Sequence, residues 1–212
     1  MSWRQKLPEA RRSVRWAVDQ YGEDRLAMTS AFGLNGMGLI HIVARMDLDI
    51  PILFVDTGYL FPETLETKRR VVEQYGLRVY TLHPIGRKLP LPRSDECCRL
   101  RKVAPMRKAL ALLRPAVLLS ARGRFQAVTR RTLAQVELDR DPVRVNPLVD
   151  WEQAEVEAFI QDNGVPYNPL YDQGYVSIGC WPCTRPVVAG EDIRAGRWDG
   201  LGRVECGLWS DK

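Results

Sequence analysis

Residues 50–55 (IPILFV) form an apolar run that stops abruptly at Asp56-Thr57-Gly58. A strand buried on both faces reads this way, whereas a strand with one wet face alternates. Only a sheet covered by helices on either side hides both faces, so this run constrains everything around it. Residues 9–21 place apolar side chains at helical spacing, and 26–32 reads as a short strand. Gly33-Leu34-Asn35-Gly36-Met37-Gly38 then makes a glycine-rich turn, with a helix through Arg45. Beyond the apolar run, 62–75 is an amphipathic helix closed by Gly76, and 78–82 is another strand. The alternation predicts an α/β fold: a parallel sheet with helices on both faces and a ligand site at the carboxyl ends of its strands.

The rest of the chain extends the pattern and then leaves it. Residues 84–95 carry three prolines and predict a surface loop. Helical spacing resumes over 96–113 with a break near Pro105, 116–120 reads as a further strand, and 143–148 (VRVNPL) follows. An acidic helix over 150–163 follows, with Asp150 as its N-cap. From Pro166 the chain is rich in glycine, proline and aromatic residues, which fits either a tail or a functional loop system. With 212 residues and 45% hydrophobic content, one core can be buried, so disorder is excluded and a single domain over 1–212 is expected, with 190–212 as a mobile C-terminal segment. The first sixteen residues are polar and basic, with no apolar secretory core, and no stretch approaches the ~18 apolar residues of a membrane span. A cytoplasmic protein without membrane association is therefore expected. The net charge of +5 favours anionic substrates, but the arginines are scattered, so no dedicated nucleic-acid binding is predicted.

Cysteine usage narrows the chemistry. In a reducing compartment, Cys97, Cys98, Cys180, Cys183 and Cys206 are read as metal ligands or reactive groups rather than disulfides. Two pairs, Cys97-Cys98 and Cys180-Trp181-Pro182-Cys183, offer four thiolates, which suit a tetrahedral zinc or an iron–sulfur cluster. Adjacent cysteines fit the two spaced knuckles of a zinc ribbon poorly, whereas in a [4Fe–4S] cubane each can take a different iron, so the cluster is favoured. Cys206, left over near the C-terminus, suits either a nucleophile beside Arg194, Arg197 and Arg203 or an exposed thiol without a role. The glycine-rich turn could cradle a phosphate or be an ordinary βα turn using glycine for positive φ. The neighbouring strand end at 56–64 supplies a carboxylate, a hydroxyl and backbone donors, and two such loops side by side favour a nucleotide pocket. His41 and His83 stand apart from these motifs and are read as structural.

Five segments carry a resemblance: 55–64 (VDTGYLFPET), 97–106 (CCRLRKVAPM), 145–151 (VNPLVDW), 168–186 (NPLYDQGYVSIGCWPCTRP) and 194–208 (RAGRWDGLGRVECGL). Through them the chain resembles the assimilatory adenylyl-sulfate (APS) and phosphoadenylyl-sulfate (PAPS) reductases, of the adenine-nucleotide α-hydrolase-like (PP-loop) superfamily. The tandem cysteines with C-x-x-C are similar to the cluster-bearing branch, which generally prefers APS. The resemblance implies a [4Fe–4S] cluster on Cys97, Cys98, Cys180 and Cys183. It also implies that Cys206, in E-C-G-L, attacks the sulfur of APS, releases AMP and leaves a thiosulfonate that thioredoxin or a similar dithiol reduces to sulfite. Lys102, Arg194, Arg197 and Arg203 would stabilise the charge that develops, with Gly33, Asp56, Thr57 and Leu60 holding the nucleotide. A PAPS reductase, or a non-reductive four-cysteine metal or nucleic-acid-binding module, is the alternative. The chain departs from the family pattern in its first loop, 31–36 (AFGLNG). Residues 122–130 (RGRFQAVTR) keep Gln126, Thr129 and Arg130 of the family's segment but lose its Glu and Ser. Trp209 replaces the family's His after E-C-G-L, which leaves activation of Cys206 to the arginines.

Overall fold

The computed structural model describes residues 2–85, 91–198, 201, 205, 207 and 208. Six strands, β1 (Leu26–Thr29), β2 (Ile52–Val55), β3 (Val79–Leu82), β4 (Val117–Ser120), β5 (Val136–Glu137) and β6 (Val143–Val145), form one sheet ordered β3-β2-β1-β4-β6-β5. Every pairing is parallel except β5 with β6, a two-residue edge too short to leave a periodic signal. The central strands β1 and β4 are buried on both faces, as the apolar run predicted for β2. Phe54 of β2 meets Phe32 edge-on at 5.4 Å between ring centroids, and both side chains are fully buried. Burial of this kind stabilises the fold by about 1.5–3 kcal/mol per side chain. None of the described helices is long and apolar enough to cross a membrane.

The helices are α1 (Trp3–Tyr21), α2 (Leu34–Ala44), α3 (Pro62–Tyr75), α4 (Asp95–Cys98), α5 (Ala104–Leu113) and α6 (Gln153–Asp162). Helix α3 has the predicted bounds, with Pro62 at its first turn and Gly76 left-handed at φ +63° just beyond its end. Helix α1 starts six residues before the predicted 9, because it runs through Pro8 to carry Trp3 onto Phe159, 5.1 Å away and edge-on.

Three expectations are corrected. The glycine-rich turn is not a loop through Gly38: α2 begins at Leu34, so Gly36 and Gly38 are helical. Their role is close packing, for a Cβ at Gly36 would lie 2.6 Å from Ser30 Oγ and one at Gly38 would rest on Leu148, Phe159 and Val156. Asp150 is not an N-cap. It pairs with Arg124 while Glu152 precedes the later start of α6. There is no break at Pro105 either. Between α4 and α5, Arg99–Val103 widens into π geometry, and the chain stays helical throughout. Proline would clash with the carbonyl four residues earlier, and a wider turn relieves that clash without ending the helix.

Candidate active site

The sheet order places β1 between β2 and β4, so the chain winds outward through β2 and β3 and then reverses to the other side of β1. Crevices open at such a switch point, outside the carboxyl ends of the strands. A pocket of about 310 Å³ lies there. Its floor is formed by the ends of β1 (Thr29–Ala31), β2 (Leu53, Val55) and β4 (Ser120–Arg122). The start of α2 (Gly33–Gly36) and the loop after β2 (Thr57, Leu60) form one wall. Residues 176–179 and 193–198, with Glu205 and Leu208, close it from above. The described residues beyond Pro166 thus form a loop system that lines the pocket, organised by short 3-10 turns at Pro169–Gln173 and Trp181–Cys183.

Of the expected substrate residues, Gly33, Thr57, Leu60, Lys102, Arg194 and Arg197 line this pocket. Asp56 does not line it. Its Oδ1 accepts a 2.9 Å hydrogen bond from Gly58 N and so shapes the turn that presents Thr57. Arg203 and Cys206 lie outside the described residues. The expectation that the loops after β1 and β2 hold the nucleotide between them omits half the cleft, because sequence order does not reveal that β4 is the other neighbour of β1. Arg122 and Arg130 line that second wall. Arg122 pairs with Glu137 and donates to Ser120 Oγ and Asn146 Oδ1, a buried network that ties β4 to β5 and β6.

The arginines are fixed by identifiable contacts. Lys102 and the buried Arg101 both come from the π-widened turn, where they diverge. Arg101 donates to the Thr57 carbonyl at 2.8 Å and stacks over Tyr59 at 4.2 Å, bracing the β2 loop, while Lys102 faces the pocket. Arg197 donates to Ser177 Oγ and the Ile178 carbonyl, both at 3.1 Å, and lies 4.4 Å over the buried Trp198 ring. Gly179 makes that approach possible, since a Cβ there would come within 2.3 Å of the Arg197 guanidinium. Arg194 lies near the same Trp198 ring, at 5.3 Å, and 3.5 Å from Glu205. Arg130 forks onto Glu205 at 2.7 and 2.9 Å and also reaches Gln126. Nothing in local periodicity marks Trp198 or Glu205 as site residues; the retained Gln126, Thr129 and Arg130 were the available sign of the second wall.

Cys97, Cys98, Cys180 and Cys183 are all buried and none forms a disulfide. Two come from α4 and two from the 180–183 turn, which an isolated bridge between Leu60 and Cys180 joins to the β2 loop. Thr57 Oγ1 is 3.2 Å from Cys180 Sγ. Burial pushes the Cys97 thiol up; Arg101 and Lys102 oppose this, while Cys180 and Cys183 lie near enough to reinforce it. Among the described residues, no three His, Cys, Asp or Glu side chains converge on one point as the ligands of a single ion do. Four buried thiols from two elements, with cations beside them, nevertheless form the soft donor set that iron–sulfur clusters use. His41 is structural as expected, with Nδ1 2.8 Å from Tyr75 Oη and its ring edge-on to Phe159.

A mostly parallel six-stranded sheet with helices and a cleft at its switch point has the adenine-nucleotide α-hydrolase-like fold. Candida glabrata FMN adenylyltransferase shares the fold, superposing with a TM-score of 0.69 at 13% identity, over 87% of this chain and 64% of that one. The phosphoadenosine phosphosulfate reductase domain matches residues 25–186, and the chain belongs to that family. Adenosine 5'-phosphosulfate reductase of Deinococcus radiodurans is 44% identical over 205 residues, 92% of this chain and 80% of that protein. Adenosine 5'-phosphosulfate reductase 1 of Bacillus subtilis is 40% identical, over 92% and 88%. The phosphate complex of phosphoadenylyl-sulfate reductase from Candida auris superposes with a TM-score of 0.73 at 30% identity, over 84% and 90%.

Proposed function

We propose that this protein reduces APS to sulfite and AMP in sulfate assimilation, through a sulfonated Cys206. One observation carries the reading: Lys102, Arg130, Arg194 and Arg197 share a single pocket with Glu205 and Leu208, which flank Cys206 in the sequence. In the proposed reaction the Cys206 thiolate attacks the sulfur of APS. An S–S bond forms, and the S–O bond to AMP breaks with its electron pair leaving on the phosphate. Charge grows on that oxygen, where fixed cations in a partly closed site stabilise it more than they stabilise bound substrate. Thioredoxin or a similar dithiol then attacks Cys206 Sγ and expels sulfite, and its second thiol frees Cys206. The dithiol becomes a disulfide, which balances the two electrons. Movement of segment 190–212, on a chain read as one cytoplasmic domain over 1–212, would let the dithiol reach the adduct.

Cys97, Cys98, Cys180 and Cys183 would hold a [4Fe–4S] cluster, which would supply local charge and hold Lys102 and the β2 loop in register rather than carry electrons. Four buried thiols from α4 and the 180–183 turn, with Arg101 and Lys102 beside Cys97, support this reading. Acid-labile sulfide and absorbance at roughly 400 nm should accompany iron in anaerobically purified protein; zinc without sulfide would overturn the assignment. Incubation with APS alone should add ~80 Da, the mass of SO3, to the peptide containing Cys206. Cys206→Ser should lose both adduct and turnover while keeping its colour, and an adduct on another cysteine would refute the mechanism. The names of the relatives favour APS, and comparing turnover of APS with that of PAPS tests the preference.

A further inference from the structure

A pocket built from cations should keep carboxylates out, yet two line it. Glu157 is occupied on its own helix, where its Oε1 accepts from Gln153 at 2.8 Å. Glu205 instead receives the fork of a pocket arginine: Arg130 Nε to Oε1 at 2.7 Å and Nη2 to Oε2 at 2.9 Å. Thr129 Oγ1 adds a 3.3 Å contact and Arg194 approaches to 3.5 Å. Both partners are largely shielded, with 15% of the Arg130 and 30% of the Glu205 side chain exposed. Burial works to raise the Glu205 carboxyl, but the hydrogen bonds and charge of Arg130, with Arg194 and Thr129, outweigh it and hold the group below the ordinary carboxylate value. A planar guanidinium fork sets orientation as well as distance, which a point charge does not. Three residues further on, Leu208 packs against the apolar cluster of Ala27, Leu53, Met106 and Leu118. One ionic pin and one apolar pin thus bracket position 206 in the sequence.

We propose that Glu205 is a positioning residue: its fork on Arg130 seats the segment that carries Cys206 over the pocket before substrate arrives. The idea rests on Cys206 being the nucleophile, but its test does not require APS. With the cluster-loaded protein and no substrate, alkylation of Cys206 by neutral iodoacetamide is followed by peptide mass. Losing the fork should speed alkylation roughly tenfold in Glu205→Gln, the loss expected for one charge-assisted pair. Arg130→Gln should also accelerate it, although that change removes the opposite charge. A purely electrostatic effect on the Cys206 thiolate would instead drive the two variants in opposite directions. The double variant should be no faster than either single, as for one shared interaction, and Arg130→Lys, which keeps the charge but not the fork, should fall between wild type and Arg130→Gln. With APS, Glu205→Gln should lower kcat with little change in KM. Unchanged alkylation in Glu205→Gln, opposite shifts in the two variants, or additive acceleration in the double would each overturn the proposal. Should Glu205→Gln fail to fold by circular dichroism, Thr129→Ala and Arg130→Lys carry the same test. If wild type failed to turn over APS, the reductase reading would fall while the alkylation result still judged the seating.

Discussion

Two residues show how local context sets chemistry. His41 is kept neutral by burial first, and by Arg45 and Arg11 beside it, which together lower its pKa. In the unfolded chain it would take up a proton below about pH 6.5. Its contribution to stability is therefore complete above that value and is lost as pH falls through its lower folded pKa. Melting temperature should accordingly fall from about pH 7 to about pH 5, and His41→Gln should flatten that slope; parallel slopes would show that another group governs it. Gly179 works through space rather than charge. Gly179→Ala would drive the Arg197 guanidinium off Ser177 and Ile178. Turnover should drop about a hundredfold, on the scale of one misplaced transition-state donor, while the melting temperature moves little.

At the level of elements, α2 and the π-widened turn do the positioning. Two helical glycines of α2 are used differently, and substitution separates them. Gly38→Ala meets Leu148 and, on α6, Phe159 and Val156 at ordinary contact distance, 3.6 Å or more, and gains helix propensity, so stability should hold or rise by up to about 1 kcal/mol. Gly36→Ala would collide with Ser30 Oγ, which accepts a 3.0 Å bond from Phe32 N, and should cost about 1–2 kcal/mol in denaturant unfolding. Equal effects of the two would mean that α2 shifts as a body. The turn over 99–103 sends Arg101 under the β2 loop and Lys102 into the pocket. Sequence periodicity over 96–113 shows a helix there, but the divergence of these side chains depends on the local widening that Pro105 demands.

For the whole molecule, which carries a net charge of +5, five cations line one cleft: Lys102, Arg122, Arg130, Arg194 and Arg197. Substrate capture by such a site should weaken as ions screen it, because the Debye length shrinks from about 10 Å at 0.1 M to about 3 Å at 1 M salt. Raising ionic strength should therefore raise KM severalfold and leave kcat nearly constant. A KM that does not respond to salt would argue that binding energy comes mainly from the nucleotide end of the pocket.

The sequence by itself determined the alternation of strands and helices, the bounds of α3 and the two cysteine pairs. These are written in short-range pattern: an unbroken apolar run, a 3.6-residue period, fixed motif spacings. Lys102, Arg194 and Arg197 were legible through the family resemblance of the motifs that carry them. Only the tertiary structure decided that β4 joins β1 and β2 around the switch-point cleft, that Gly36 and Gly38 serve packing, and that Asp56 shapes a turn instead of lining the site. It alone brought Arg130 to Glu205 across 75 residues and set Trp198 beside two arginines. The reason is physical: strand order and side-chain partnership are settled by which faces must be buried together, and residues distant in the chain carry no local mark of the neighbour that burial will assign them.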